Sequence, residues 1–223
     1  MKTSFDITSL ILHKPRFLSS EQCDLLIKYY ENNKDRKEKE HCPHAVTGVD
    51  TYSTFNVIDI LYGTQESELV SSSIETMINM WQDYTDEFKM FHKVKRQSML
   101  YSHKLRLMKY DTGAWIHPHT DHDPYVYGSC TFNLNDEYEG GDFAFFRGLK
   151  KIKLNKGDAL IFPADYFWVH EVEPITKGVR YSTNCFLQEM PTTITEETEN
   201  YKKMLVDNYK FNPRDGKKYN IKY

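Results

Sequence analysis

The sequence predicts a mainly β protein, a double-stranded β-helix (jelly roll) with N-terminal helices packed on one sheet. Three observations carry this expectation. After His92 the chain breaks into short apolar runs separated by turn residues, as an antiparallel sandwich or barrel does. Before it, two stretches repeat apolar residues at helical spacing. Aromatic residues reach 14%, with 16 Tyr and 13 Phe, which favours strands and an aromatic-lined cavity over a helical bundle. A chain of 223 residues can bury one core, so a single domain over 1–223 is expected. Its helical support falls mainly in 19–91, its jelly-roll core in about 99–188, and a C-terminal helix and tail in 195–223.

In chain order, 10–18 reads as a short strand ending near Pro15, and Ser19 to Gln22 give the N-cap signal of a helix running to about Asn32. Leu25, Leu26, Tyr29 and Tyr30 form its apolar side. The charged connection that follows breaks both periodicities, and His41 and His44 within it read as ordinary loop residues. A strand is expected within 51–60. From Gln65 to about Phe91 a long amphipathic helix places Leu69, Ile74, Met77, Ile78, Trp81, Tyr84 and Phe88 along one stripe. Eight strands then follow at 99–110, 114–121, 126–135, 142–147, 151–155, 158–163, 166–173 and 179–188. Turns are expected from Asn135–Asp136 through Gly141, at Arg147–Gly148, at Asn155 to Asp158, and at Thr176 to Gly178.

The charge balance of 29 basic and 32 acidic residues, net −3, excludes a strongly basic surface, so neither nucleic acid nor membrane is expected as a partner. Residues 1–17 lack a secretory signal pattern, and no run approaches the roughly 20 apolar residues of a membrane span. A soluble, cytoplasmic protein is expected. Cys23, Cys42, Cys130 and Cys185 are widely spaced and suggest neither a disulfide framework nor a zinc site.

Chemistry concentrates in 110–123, YDTGAWIHPHTDHD, with three histidines and three aspartates in fourteen positions. In an extended segment His117, His119 and Asp121 leave one face. Two such ligands plus a third from elsewhere make the open site of a non-haem Fe(II) centre. The only histidine after His122 is His170, on a candidate strand with Trp168 and Val172 on its face. Ten residues on, Arg180, Ser182, Asn184 and Phe186 share another face, and an arginine with a nearby hydroxyl can hold a carboxylate.

These motifs resemble the 2-oxoglutarate- and Fe(II)-dependent dioxygenases, specifically the prolyl 4-hydroxylase-like branch. Tyr110 and Gly113 precede His119-x-Asp121 at the family's spacing. Gly157–Asp158, the apolar ALIFP, and His170 through Val172, Pro174, Ile175, Gly178 and Arg180 are similar to its second half, with Leu134–Asn135 and Gly140–Gly141 between. The resemblance covers most of 15–188.

The resemblance implies His119, Asp121 and His170 as Fe(II) ligands and Arg180 as the anchor of the distal carboxylate of 2-oxoglutarate. It matches Tyr110 to a cosubstrate-contacting tyrosine, lets Ser182 assist Arg180, and sets Asn133 where some relatives carry a second such tyrosine. O₂ would be the other cosubstrate and ascorbate a reductant. The implied reaction decarboxylates 2-oxoglutarate to succinate and CO₂ and hydroxylates a C–H bond, first of all on a peptidyl proline. A free amino acid, a small metabolite or another protein side chain fits the same machinery. The loop 33–56 lies where relatives keep a mobile segment. Two other readings stay open: a non-catalytic metal-binding jelly roll, and a cupin-type zinc or manganese enzyme using His117, His119 and His170.

Overall fold

A computed structural model describes residues 6–41, 52–88, 101–122 and 126–188. The tip of the 33–56 loop, Cys42, His44 and the expected C-terminal helix and tail lie outside these residues. A 3-10 turn at Ile7–Leu10 leads into β1 (Leu12–Lys14) and helix α1 (Ser20–Asn32). Ser19 caps α1 as the sequence indicates: its hydroxyl accepts from the Gln22 amide while the Gln22 side chain accepts from the Ser19 amide. After β2 (Asn56–Asp59) comes α2 (Gln65–Asp86), then β3 (Tyr101–Tyr110), β4 (Ile116–His119) and β5 (Val126–Phe132). The chain continues through β6 (Tyr138–Gly140), β7 (Phe143–Phe145), β8 (Lys150–Ile152), β9 (Ala159–Pro163), β10 (His170–Val172), β11 (Ile175–Gly178) and β12 (Arg180–Gln188).

A six-stranded sheet in the order β1-β9-β5-β12-β3-β2 faces a four-stranded sheet, β4-β10-β7-β8, with β11-β6 as a separate ribbon. All pairings are antiparallel. The larger sheet is buried on both faces, and strand alternation sorts its residues. On β3, Leu105 and Leu107 join Leu26, Tyr30, Ile74, Met77 and Trp81 of the two helices in one cluster. Met108 and Tyr110 turn the other way and pack with Phe143, Phe145 and Trp168 between the sheets. On β9, Ala159 and Ile161 meet the helices while Leu160 and Phe162 enter the inter-sheet core. The double-stranded β-helix with helices on one sheet is therefore the fold observed. Cys23, Cys130 and Cys185 are buried. Among the described residues no helix is long and apolar enough to cross a membrane.

Two sequence expectations change. The segments at Asn135 to Gly141 and Thr176 to Gly178, expected as turns, supply β6 and most of β11, which pair with a register shift. Gly140 has φ 77°, and a side chain there would collide with the Pro174 carbonyl, so glycine here serves strand pairing. The strand expected over 166–173 shortens to His170–Val172, because Asp165 accepts from the amides of Phe167 and Trp168 and holds a turn there. Trp168 consequently joins the inter-sheet core. Asp158 closes the turn expected at Asn155 to Asp158, its amide donating to the Asn155 carbonyl, and it does more than turn the chain: it is buried, accepts from the amides of Arg16 and Asn155 and meets His13 Nε2 at 3.0 Å, which fixes β9 against the N-terminal segment.

Candidate active site

His119 ends β4 directly opposite His170 on β10, so two imidazoles project from neighbouring strands toward one point. Asp121, two residues beyond β4, completes the cluster. Its carboxylate oxygens lie 3.2 Å from His119 Nε2 and 3.4 Å from His170 Nε2, and ligand atoms of all three fall within 4.8 Å of one another. Both rings are oriented in the same way. His119 Nδ1 lies 2.9 Å from the His117 carbonyl and His170 Nδ1 lies 2.9 Å from the Trp168 carbonyl, so a donating Nδ1–H leaves each Nε2 lone pair for the centre. The Ser129 hydroxyl of β5 donates to Asp121 Oδ2. Phe143 stacks on the His170 ring at 5.3 Å.

The electrostatics follow from this packing. Burial pushes His170 down to about 4 against the pull of Asp121. Burial also works against the charged forms of Asp121 and His119. For Asp121, His170, His119 and the Ser129 hydrogen bond outweigh it and hold the carboxyl well below the usual range. For His119, the Asp121 hydrogen bond and charge outweigh it and raise the imidazole. Two imidazoles and one ionised carboxylate on one side of an open cavity form a donor set that fits Fe(II) with coordination positions to spare.

The cavity beside the cluster has a volume of about 250 Å³ and lies between the two sheets. Its wall on the larger sheet comes from alternate residues of β3 (Arg106, Met108, Tyr110) and from Arg180, Asn184 and Phe186 of β12. Arg180 is 1% exposed, lies 5.1 Å over the Tyr110 ring, and donates from Nε to Asn133 Oδ1 at 2.9 Å. Its Nη1 and the neighbouring Ser182 hydroxyl are buried without a hydrogen-bond partner. A buried guanidinium with a donor to spare is suited to a carboxylate that enters the cavity. Asn133 stands behind Arg180, outside the residues that line the cavity. Its Nδ2 donates to the carbonyls of Asn135 and Leu154, and the Tyr138 hydroxyl donates to its Oδ1.

His117 lines the cavity, but its ring lies 6.3 Å from His119 and it is outside the ligand cluster. His122 is exposed against Tyr166, and Trp115 packs beside His117. Sequence reasoning missed Ser129 and Arg106. A signal for the first was present: Ser129, Thr131 and Asn133 put a polar residue at every second position of a buried strand. Arg106 alternates with Leu105 and Leu107 and could have been read the same way.

Residues 105–188 match the family model of the 2OG-Fe(II) oxygenase superfamily. A PKHD-type hydroxylase of Janthinobacterium sp. (strain Marseille) is 42% identical over 66 residues, which is 28% of this chain and 28% of that protein. The match therefore spans less than a third of the length of that curated relative. The viral collagen prolyl hydroxylase from Paramecium Bursaria Chlorella virus-1 superposes with a TM-score of 0.59 at 16% identity, over 82% of this chain and 97% of its own. A prolyl hydroxylase from Trichoplax adhaerens, solved with a hypoxia inducible factor oxygen degradation domain peptide fragment, gives 0.61 at 15% identity over 87% of both chains. These two likenesses bear on the fold. The strands and turns that bring His119, Asp121, His170 and Arg180 around one cavity all lie within 105–188, the segment that matches the 2OG-Fe(II) oxygenase superfamily model, and the chain shares the fold of the prolyl hydroxylases.

Proposed function

We propose that the chain is an Fe(II)- and 2-oxoglutarate-dependent hydroxylase of the prolyl 4-hydroxylase type, acting on a peptidyl proline. The observation that carries the proposal is the pairing, in one cavity, of a His-Asp-His cluster within 4.8 Å and a buried arginine with an unpartnered Nη1. Neither the non-catalytic jelly roll nor the three-histidine centre accounts for Arg180.

In this reading His119 and His170 hold Fe(II) through Nε2 and Asp121 holds it through its carboxylate, while the Nδ1–H bonds and Ser129 keep the ligands in place. The bound metal supplies O₂ activation that couples decarboxylation of 2-oxoglutarate, giving succinate and CO₂, to hydroxylation of an unactivated C–H bond. Arg180 receives the distal carboxylate of the cosubstrate in charge-assisted hydrogen bonds, with Ser182 beside it and the Tyr110 ring beneath the guanidinium. Asn133 fixes the guanidinium from behind. Phe143, Val172 and Ile116 give the cavity dry walls that keep bulk water from the reacting groups. The peptide complex of the Trichoplax protein supports a peptide as the substrate class.

Succinate release with Fe(II), with and without 2-oxoglutarate, tests the reading, together with a search for +16 Da products on proline-containing peptides. Succinate is expected only when metal and 2-oxoglutarate are both present, and it is expected to vanish in His119→Ala, Asp121→Ala and His170→Ala. Arg180→Ala is expected to raise the KM for 2-oxoglutarate roughly thirtyfold or more, the consequence of about 2 kcal/mol for removing one member of a buried charge pair. Turnover without 2-oxoglutarate would point to the three-histidine reading instead.

A further inference from the structure

The cavity holds a second guanidinium that the cosubstrate site does not use. Arg106, 4% exposed, lines it from β3. Arg106 pairs across to Asn184 while Tyr110 pairs across to Arg180, so the two arginines lie about 13 Å apart along the sheet at the usual strand rise. They also flank the ligand cluster differently. The Arg106 guanidinium lies 4.7 Å over the Phe186 ring, Phe186 sits opposite Ser129 in the β5–β12 pairing, and Ser129 donates to Asp121. Arg106 is thus at the end of the cavity next to the ligand cluster, and Arg180 is at the other.

The partner of Arg106 is Glu40, whose carboxylate meets Nη1. Glu40 is not part of the barrel. It arrives on a short ladder in which Glu38 exchanges backbone hydrogen bonds with Val57, and Ser53 bonds Glu40. The side chain of Glu40 is 29% exposed against 5% for Arg106. Arg106 Nε is buried and has no hydrogen-bond partner. The fold therefore keeps a desolvated cation in the cavity wall, only partly satisfied, with its counter-ion at the water-facing side.

We propose that Arg106 is a substrate-recognition residue that takes a carboxylate of the substrate in exchange with Glu40. The proposal rests on the hydroxylase reading above and narrows its substrate class to molecules with a carboxylate near the hydroxylated carbon. The exchange is charge-neutral for the cavity: one carboxylate leaves Arg106 for water as another arrives, and the guanidinium can offer the newcomer a two-pronged contact. A neutral or cationic substrate brings no such competitor and would leave Glu40 on Arg106. The carboxylate can belong to a free amino acid or to an acidic side chain beside the target residue in a peptide.

The test is calorimetric titration of the full chain saturated with 2-oxoglutarate and Zn(II), a redox-inert occupant of the site. The probes are two matched pairs: L-proline with L-prolinamide, and N-acetyl-Pro-Glu-amide with N-acetyl-Pro-Gln-amide. The carboxylate member of at least one pair is expected to bind about tenfold tighter or more than its amide partner, and the responding pair identifies the source. Arg106→Gln is expected to erase that preference while the affinity for 2-oxoglutarate stays unchanged. Glu40→Gln, at a side chain 29% exposed that can keep a neutral hydrogen bond to Arg106, is expected to tighten the carboxylate probe severalfold by removing the charged competitor, so the proposal does not hang on how well Arg106→Gln folds. No preference in either pair, silence of all four probes included, overturns the proposal. So does a preference that survives in Arg106→Gln, which would make the ion pair a tether for the Glu40 segment. Failure of the wild type to bind 2-oxoglutarate would instead count against the hydroxylase reading itself.

Discussion

His119 and His170 each donate Nδ1–H to the carbonyl two residues before them, so the tautomer and ring direction are settled by the strand that carries the ring. Asp121 lies past the end of β4 and has no such backbone fixture; a hydroxyl on another strand orients it. Ser129→Ala is therefore expected to leave the fold intact and to weaken metal affinity about 10- to 100-fold, the usual range for losing an outer partner of a ligand. Metal titration of the purified variant checks this, and an unchanged affinity would show that Asp121 is held by its histidines alone. His119, Asp121, His170 and Arg180 were legible because their spacing is local or recurs in a known pattern. Ser129 and the Asn133 contact to Arg180 were not, because each depends on which strands become neighbours.

At the level of elements, the Gly157–Asp158 turn joins β9 to the N-terminal segment. Gly157 accepts from the Leu18 amide, and Asp158 accepts from Arg16 and Asn155. Burial pushes the Asp158 carboxyl up, but these amides and His13 outweigh it, so its pKa is lower in the folded chain. A carboxyl depressed on folding contributes stability that is complete above the unfolded value of about 3.9 and is lost as pH falls through the folded value. Asp158→Asn should thus cost roughly 1–3 kcal/mol at pH 7. The gap between wild type and variant should shrink as the pH drops below about 4. Urea unfolding at pH 7 and pH 3 measures both, and an equal gap at the two pH values would rule out the ionised carboxylate as the cause. Both helix starts and the end of α1 were read to within a residue, because capping and a 3.6-residue period are properties of a local stretch, whereas α2 ends at Asp86, short of the expected Phe91. The ribbon of β6 and β11 was not, since glycines and a register shift erase the alternation that marks a strand.

For the whole molecule, the site joins two layers. His119 and His170 belong to the four-stranded sheet and Arg180 to the six-stranded one. A cosubstrate held at both ends should therefore stabilise the sandwich as a unit. Metal is expected to raise the melting temperature, and 2-oxoglutarate to raise it further, each by about 2.7 kcal/mol of added stability at 100 times its dissociation constant. A chelator should reverse both increments. In Arg180→Ala only the metal increment should remain, and a full 2-oxoglutarate increment there would remove Arg180 from the site. Differential scanning calorimetry supplies the comparison.

By itself the sequence determined the mainly β class and both helices with their apolar faces, and it singled out four candidate residues that the structure gathers around one cavity. Those features depend on neighbours a few positions apart or on the order of motifs along the chain. The tertiary structure alone decided that Asn133 stands behind Arg180, that Ser129 orients Asp121, and that Arg106 and Glu40 meet in the cavity wall. Each of these contacts spans 8 to 66 residues of sequence. Such partners are set by sheet order and register, which a single chain of letters does not state.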